Sequence, residues 1–159
     1  MKPRSIAAAL LAAGTLLGWT AAFAHDDAWL DTQHAPHGGQ LRMAGPYHYE
    51  LVVAKDATPA KDSPVVVHVT DHAGAPVSTA GASGSALFMA GKSKASIALR
   101  PDGDNRMRGA GRYATAPGTK VVVSVSLAGA KPQQARFTPG EAKETRSGHD
   151  AANPHRASR

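Results

Sequence analysis

Two stretches, Tyr47-His48-Tyr49-Glu50-Leu51-Val52-Val53 and Pro64-Val65-Val66-Val67-His68-Val69-Thr70-Asp71, carry the period-2 alternation of half-buried β-strands. In the first, Tyr47, Tyr49, Leu51 and Val53 fall on one face while His48, Glu50 and Val52 fall on the other. In the second, Val65, Val67 and Val69 oppose Val66, His68 and Thr70. Between and beyond them, Gly and Pro punctuate the chain. Asp71-His72-Ala73-Gly74-Ala75-Pro76 is turn chemistry, with Gly74 free to take a positive φ and Pro76 suited to opening the next segment. The same grammar predicts strands at Ser85–Ala90, Lys94–Arg100, Asn105–Tyr113, Lys120–Leu127 and Ala135–Thr138. After residue 24 no stretch sustains a helical period. About seven short strands separated by turn signals imply an all-β fold, an immunoglobulin-like β-sandwich over residues 47–138.

The flanks differ from this middle. Lys2 and Arg4 precede an apolar run from Ile6 to Phe23, and Ala22-Phe23-Ala24 has the small-x-small form that signal peptidase cleaves. Residues 1–24 therefore read as a cleaved signal peptide, with His25 as the new amino terminus. A periplasmic, secreted protein without stable membrane insertion is the expected outcome. Residues 25–46 read as a His-rich irregular arm in which Trp29, Leu30, Leu41 and Met43 are the large apolar anchors. Residues 139–159 contain no large apolar side chain and read as a disordered basic tail.

Composition narrows the chemistry. The 159 residues include 18 Lys+Arg, 12 Asp+Glu, eight His and no Cys. The missing thiols exclude disulfides, thiolate zinc sites, iron–sulfur clusters and cysteine nucleophiles. With aromatics at 5%, the core has to be built mainly of Val, Leu and Ile. No serine nucleophile elbow, phosphate-cradling Gly loop or metalloprotease helix is present, so an enzyme is not expected. Lys92, Lys94, Arg100, Arg106, Arg108 and Arg112 form a locally basic stretch without interleaved aromatics, which reads as a solvated face rather than a nucleic-acid site. Contact of that stretch with anionic lipid or a partner protein stays open.

Six of the eight histidines lie between positions 25 and 72: His25, His34, His37, His48, His68 and His72. Neutral imidazoles in such density point to a transition metal, copper or zinc, rather than magnesium or calcium. Three constellations separate. The first is the amino group and imidazole of His25, which would also serve a copper oxidase. The second is His34-Ala35-Pro36-His37-Gly38-Gly39, where Pro36 stiffens a turn that the glycines let bend. The third comes from strand parity, which puts His48, Glu50 and His68 on the faces opposite the apolar ones. Were the two strands paired, His48 and His68 could be neighbours, direct cross-strand partners having Cβ atoms about 5 Å apart. His72 shares that parity but lies about 13 Å along an extended strand, so the Asp71–Pro76 turn has to bring it back. The competing reading is a polar cross-strand pair on a solvated face. Met89, beside Phe88, reads as core.

The runs Ala35-Pro36-His37-Gly38-Gly39-Gln40, Gly45-Pro46-Tyr47-His48-Tyr49-Glu50-Leu51 and Val65–Val77 resemble small secreted proteins and adaptor segments associated with bacterial heavy-metal efflux. In those, a His-Gly-Gly turn precedes an aromatic-x-x-Glu-Leu strand. Gly111-Arg112-Tyr113 and Pro117-Gly118-Thr119-Lys120-Val121-Val122-Val123 are similar to the last hairpin of YtkA-like and FixH-like immunoglobulin-type sandwiches. The resemblance implies a periplasmic accessory module near metal traffic, and by position it singles out His37, Gly38, Gly39, His48 and Glu50. The functional expectation is a copper- or zinc-binding accessory protein that buffers metal or delivers it to an efflux or resistance system, its partner an envelope component and not nucleic acid. The alternative is a metal-free periplasmic module that docks on an envelope complex.

Overall fold

The computed structural model describes residues 27–141. The expected signal peptide, His25 and most of the basic tail lie outside the described residues. One short helix, α1 (Asp27–Thr32), precedes eight strands: β1 (Gln40–Ala44), β2 (Tyr47–Val53), β3 (Ser63–Asp71), β4 (Ser83–Ala90), β5 (Ser93–Pro101), β6 (Arg106–Gly111), β7 (Lys120–Ser126) and β8 (Gln133–Phe137). All strand pairings are antiparallel, in the order β1-β2-β3-β6-β5-β4-β7-β8. The all-β expectation holds, and so do the seven strands, each within a few residues. An eighth, β1, arises inside the stretch read as an irregular arm, as does α1. Gly45, at φ +60°, with Pro46 turns β1 tightly into β2, leaving Ala44 opposite Tyr47.

β4, β5 and β6 form successive hairpins, β3 returns beside β6 and β7 beside β4, which are two overlapping Greek keys. β5 serves both halves. Its Gly84-to-Ala90 partners run from Leu99 back to Ser93, while Arg100 and Pro101 pair with β6. The two halves are thus continuous along one side, a barrel-like version of the expected sandwich. Close approach there depends on Gly109, where a Cβ would stand 2.3 Å from the Ala98 carbonyl oxygen. Across the other side, the Gln40 side-chain oxygen accepts the Thr138 N–H at 2.9 Å, tying the start of β1 to the end of β8.

The alternation read in the sequence fills the interior. Tyr49, Leu51, Val65, Val67 and Val69 from one half meet Ala86, Phe88, Ile97, Val121, Val123, Val125 and Phe137 from the other, with Met107 among them. Phe88 stacks on Tyr113 with ring centroids 4.1 Å apart, and the Tyr113 hydroxyl donates to the Pro64 carbonyl at 2.5 Å. Met89 is a correction: neighbouring strand residues point to opposite faces, so with Phe88 inside, Met89 lies half-buried on the outer face.

The arm has its own anchoring. Leu30 is buried, and the Asp27 carboxylate accepts the Met43 N–H at 3.1 Å, an N–H on the outer edge of β1. Arg42 reaches past that edge to Asp31, with Nη1 to Oδ1 at 2.6 Å. α1 therefore covers an edge strand that would otherwise be open to pairing.

Candidate functional site

β2 is buried on both faces: Tyr49 and Leu51 point into the core, while His48 and Glu50 point the other way and are only 7% and 3% exposed. An outward-facing carboxyl group on a surface strand is normally solvated. Here the arm lies over it, and the His37-Gly38-Gly39 turn is wrapped around the Glu50 side chain. Glu50 Oε1 accepts the His37 N–H at 2.8 Å and the Gly39 N–H at 3.0 Å, while Oε2 meets His37 Nδ1 at 2.8 Å. Three donors on two oxygens satisfy a buried carboxyl group that would otherwise cost several kcal/mol to desolvate.

Both glycines are needed for this wrap. Ala35 to Gly38 is a turn closed by the Gly38 N–H on the Ala35 carbonyl at 3.0 Å, with Pro36 at its second position and Gly38 at φ +73°. Gly39 runs so close to β2 that a Cβ would stand 2.4 Å from the Leu51 carbonyl oxygen and 3.0 Å from Glu50 Cγ. The turn stiffened by Pro36 is thus one half of a unit whose other half is Glu50.

Register completes the arrangement. Glu50 lies opposite His68, and His48 lies opposite Thr70. The expected His48–His68 pairing is therefore replaced by a diagonal one, because the strands pair two residues away from that alignment. Imidazoles meet in other combinations. The His37 and His68 rings stack at a centroid distance of 3.6 Å with 2° between planes, and the His48 and His72 rings at 5.0 Å with 20°. The Asp71–Pro76 turn does bring His72 back. The Asp71 side chain accepts the N–H groups of Ala73 and Ala75, Gly74 sits at φ +82°, and Pro76 bridges to Thr70. His72 Nε2 lies 3.3 Å from the Gly45 carbonyl.

These groups line one cleft of about 250 Å³ between α1, the His37 turn and the outer face of β2 and β3, with His34, Trp29, Leu30 and Leu41 also on its walls. His34 is exposed at its rim. Trp29, 41% exposed, is the one large exposed hydrophobic side chain among the described residues. Burial first, then the positive charge of His37 and that of Arg106, holds the His68 imidazole below the usual histidine range, against an opposing pull from Glu50. The site thus favours uncharged imidazole at the position deepest in the stack.

Among the described residues, no three His, Asp or Glu side chains already stand together in a geometry that would hold a metal ion. Glu50, expected among the ligands, has both oxygens in contact with the His37 turn. With Nδ1 of His37 held by Glu50, the nitrogen left for chemistry on that ring is Nε2. Leu41 and Trp29 as cleft walls, and Glu50 as the organiser of the turn, follow from the three-dimensional wrap of the arm. The spacing of His37, Gly39 and Glu50 is the signal that points to it. No protein-family model matches the chain, and neither does any curated protein.

Proposed function

We propose that the cleft takes up a transition-metal ion, Cu(II) or Zn(II), as cargo, through His37 and His68 with His48 and His72 beside them. The observation that carries this is the buried Glu50 carboxyl group gripping Nδ1 of His37. A carboxylate on one imidazole nitrogen fixes the tautomer and raises the basicity of the other, the arrangement found behind metal-bound histidines. The donor set is imidazole-rich and thiolate-free, which suits copper and zinc. The parallel stack cannot serve one ion as it stands, since a lone pair lies in its ring plane. His37, with a side chain 48% exposed, has the freedom to pivot about its Glu50 contact, which is the small closure that capture of an ion requires.

In this reading the protein is a secreted, periplasmic binding module, not an enzyme, that buffers metal or hands it to an envelope efflux component. The leader-like residues 1–24 and the resemblance to efflux-associated His-Gly-Gly segments support that setting. Exposed Trp29 beside the cleft favours a second reading, a docking module that needs no metal.

Titration of the purified protein with Cu(II) and with Zn(II), alongside His37→Ala and His48→Ala, separates the two. Stoichiometric sub-micromolar binding that either substitution abolishes is the expected result. Binding no tighter than that of a scrambled His-containing peptide overturns the metal reading and leaves docking through Trp29.

A further inference from the structure

On the side of the molecule away from the cleft, β5, β4, β7 and β8 present an outer face whose composition is one-sided. Residues 83–101 and 120–137 contain six cations, Lys92, Lys94, Arg100, Lys120, Lys131 and Arg136, and not one Asp or Glu. All six are exposed, and among the described residues none of them forms an ion pair. The other half differs in kind: its Arg42, Arg106, Arg108 and Arg112 are each paired with an aspartate.

The register arranges these charges around an apolar centre. Met89 lies between Lys94 on β5 and Lys120 on β7. In the adjacent row Leu87 lies between Ser96 and Val122, and Val122 faces Arg136 on β8. Leu87, Met89 and Val122 are half-buried and point outward, opposite the core-facing Ala86, Phe88, Val121 and Val123. The result is a shallow apolar stripe with cations along both sides.

We propose that this outer face docks the protein on an anionic phospholipid surface, with Lys94, Lys120 and Arg136 at the headgroups and Leu87, Met89 and Val122 against the interfacial layer. Charge complementarity selects an anionic occupant, and composition selects lipid over an acidic protein. Protein interfaces are anchored by Tyr, Trp and Arg and are depleted in Lys. This face has no aromatic residue, and four of its six cations are Lys. Clustered Lys and Arg beside a membrane act additively through the surface potential and need no shaped partner. The inference is independent of metal binding, which occupies the opposite face.

The test is co-sedimentation of the full chain with vesicles of phosphatidylcholine alone and of phosphatidylcholine with phosphatidylglycerol. Salt is raised from about 0.1 M to about 1 M, shrinking the screening length from about 10 Å to about 3 Å. Binding to the anionic vesicles, lost at high salt and weakened about 30-fold by Lys94→Glu with Lys120→Glu, is expected. Lys55→Glu with Lys61→Glu, an equal change in net charge at the β2–β3 connection, is expected to leave it intact, and thermal melting confirms that both variants fold. Equal binding to the two vesicle types places the attraction in some other segment and overturns the proposal. So does equal loss in both charge-reversed variants, which reduces the effect to net charge. Capture by poly-glutamate without vesicle binding assigns the face to an acidic protein instead, and likewise overturns it.

Discussion

Glu50 and His68 face one another across β2 and β3, and the two side chains make different demands on pH and packing. Removing Glu50 as Glu50→Ala orphans the His37 and Gly39 N–H groups and the His37 ring nitrogen together. An orphaned buried donor costs about 1–3 kcal/mol, so a loss of that order in urea unfolding is expected; under the proposed function, Cu(II) or Zn(II) affinity is expected to fall about 10- to 100-fold. Because His68 is held below its ordinary range, the unfolded chain binds more protons than the folded one once pH drops below about 6.5. Stability is therefore full above that value and falls as pH is lowered through it. His68→Gln is expected to flatten the fall in melting temperature between about pH 7 and pH 5; an unchanged slope assigns the sensitivity elsewhere. Tyr49 poses the opposite case. Its hydroxyl is buried with no hydrogen-bond partner among the described residues, and burial first, then Tyr47, pushes it above the usual phenol range. Tyr49→Phe removes an unsatisfied group and keeps the ring, so it is expected to raise stability by about 1 kcal/mol in thermal melting. At this scale strand parity made His48, Glu50 and His68 legible as co-facial in the sequence. Which pairs touch was not, since that depends on a two-residue choice of register, which leaves the faces unchanged, and on where the arm lies.

Strands β2 to β8 were readable because each alternates with period 2 and ends at Gly, Pro or Asp turns. β1 and α1 were not, for physical reasons that differ. Gln40-Leu41-Arg42-Met43-Ala44 alternates weakly, and its Arg42 points to the core side before turning out to Asp31, so its pattern reads as polar where a strand reads apolar. Asp27–Thr32 has one buried anchor, Leu30, and at six residues it is too short to persist without tertiary contacts. The Gly45-Pro46 pair was the local sign of the hairpin that makes β1. The arm as an element stands on Leu30, the Asp27 and Asp31 contacts and the Gly39 approach to β2. Gly39→Ala places a Cβ against the Leu51 carbonyl, and the turn has to lift off Glu50. Faster amide exchange at His37 and Gly39, with the core strands unchanged, is expected.

For the whole molecule, the two outer faces divide the work proposed for them: an imidazole cleft under the arm and a cationic stripe on the reverse. A ligand that binds only the folded state stabilises it by about 2.7 kcal/mol at a hundredfold excess over its dissociation constant, so saturating Zn(II) or Cu(II) is expected to raise the melting temperature by on the order of 10 °C. That shift should vanish below about pH 6, as imidazoles protonate, and in His37→Ala. The tie between Gln40 and Thr138 has a consequence of another kind. It brings the first and last strands side by side, so the chain has no need to begin and end where it does. A short linker joining residue 141 to residue 27, with new termini cut at Gly91-Lys92 in the tight β4–β5 turn, would preserve every strand pairing while changing the order in which the Greek keys are synthesised. Such a rewired polypeptide should reach the same architecture by a different folding route.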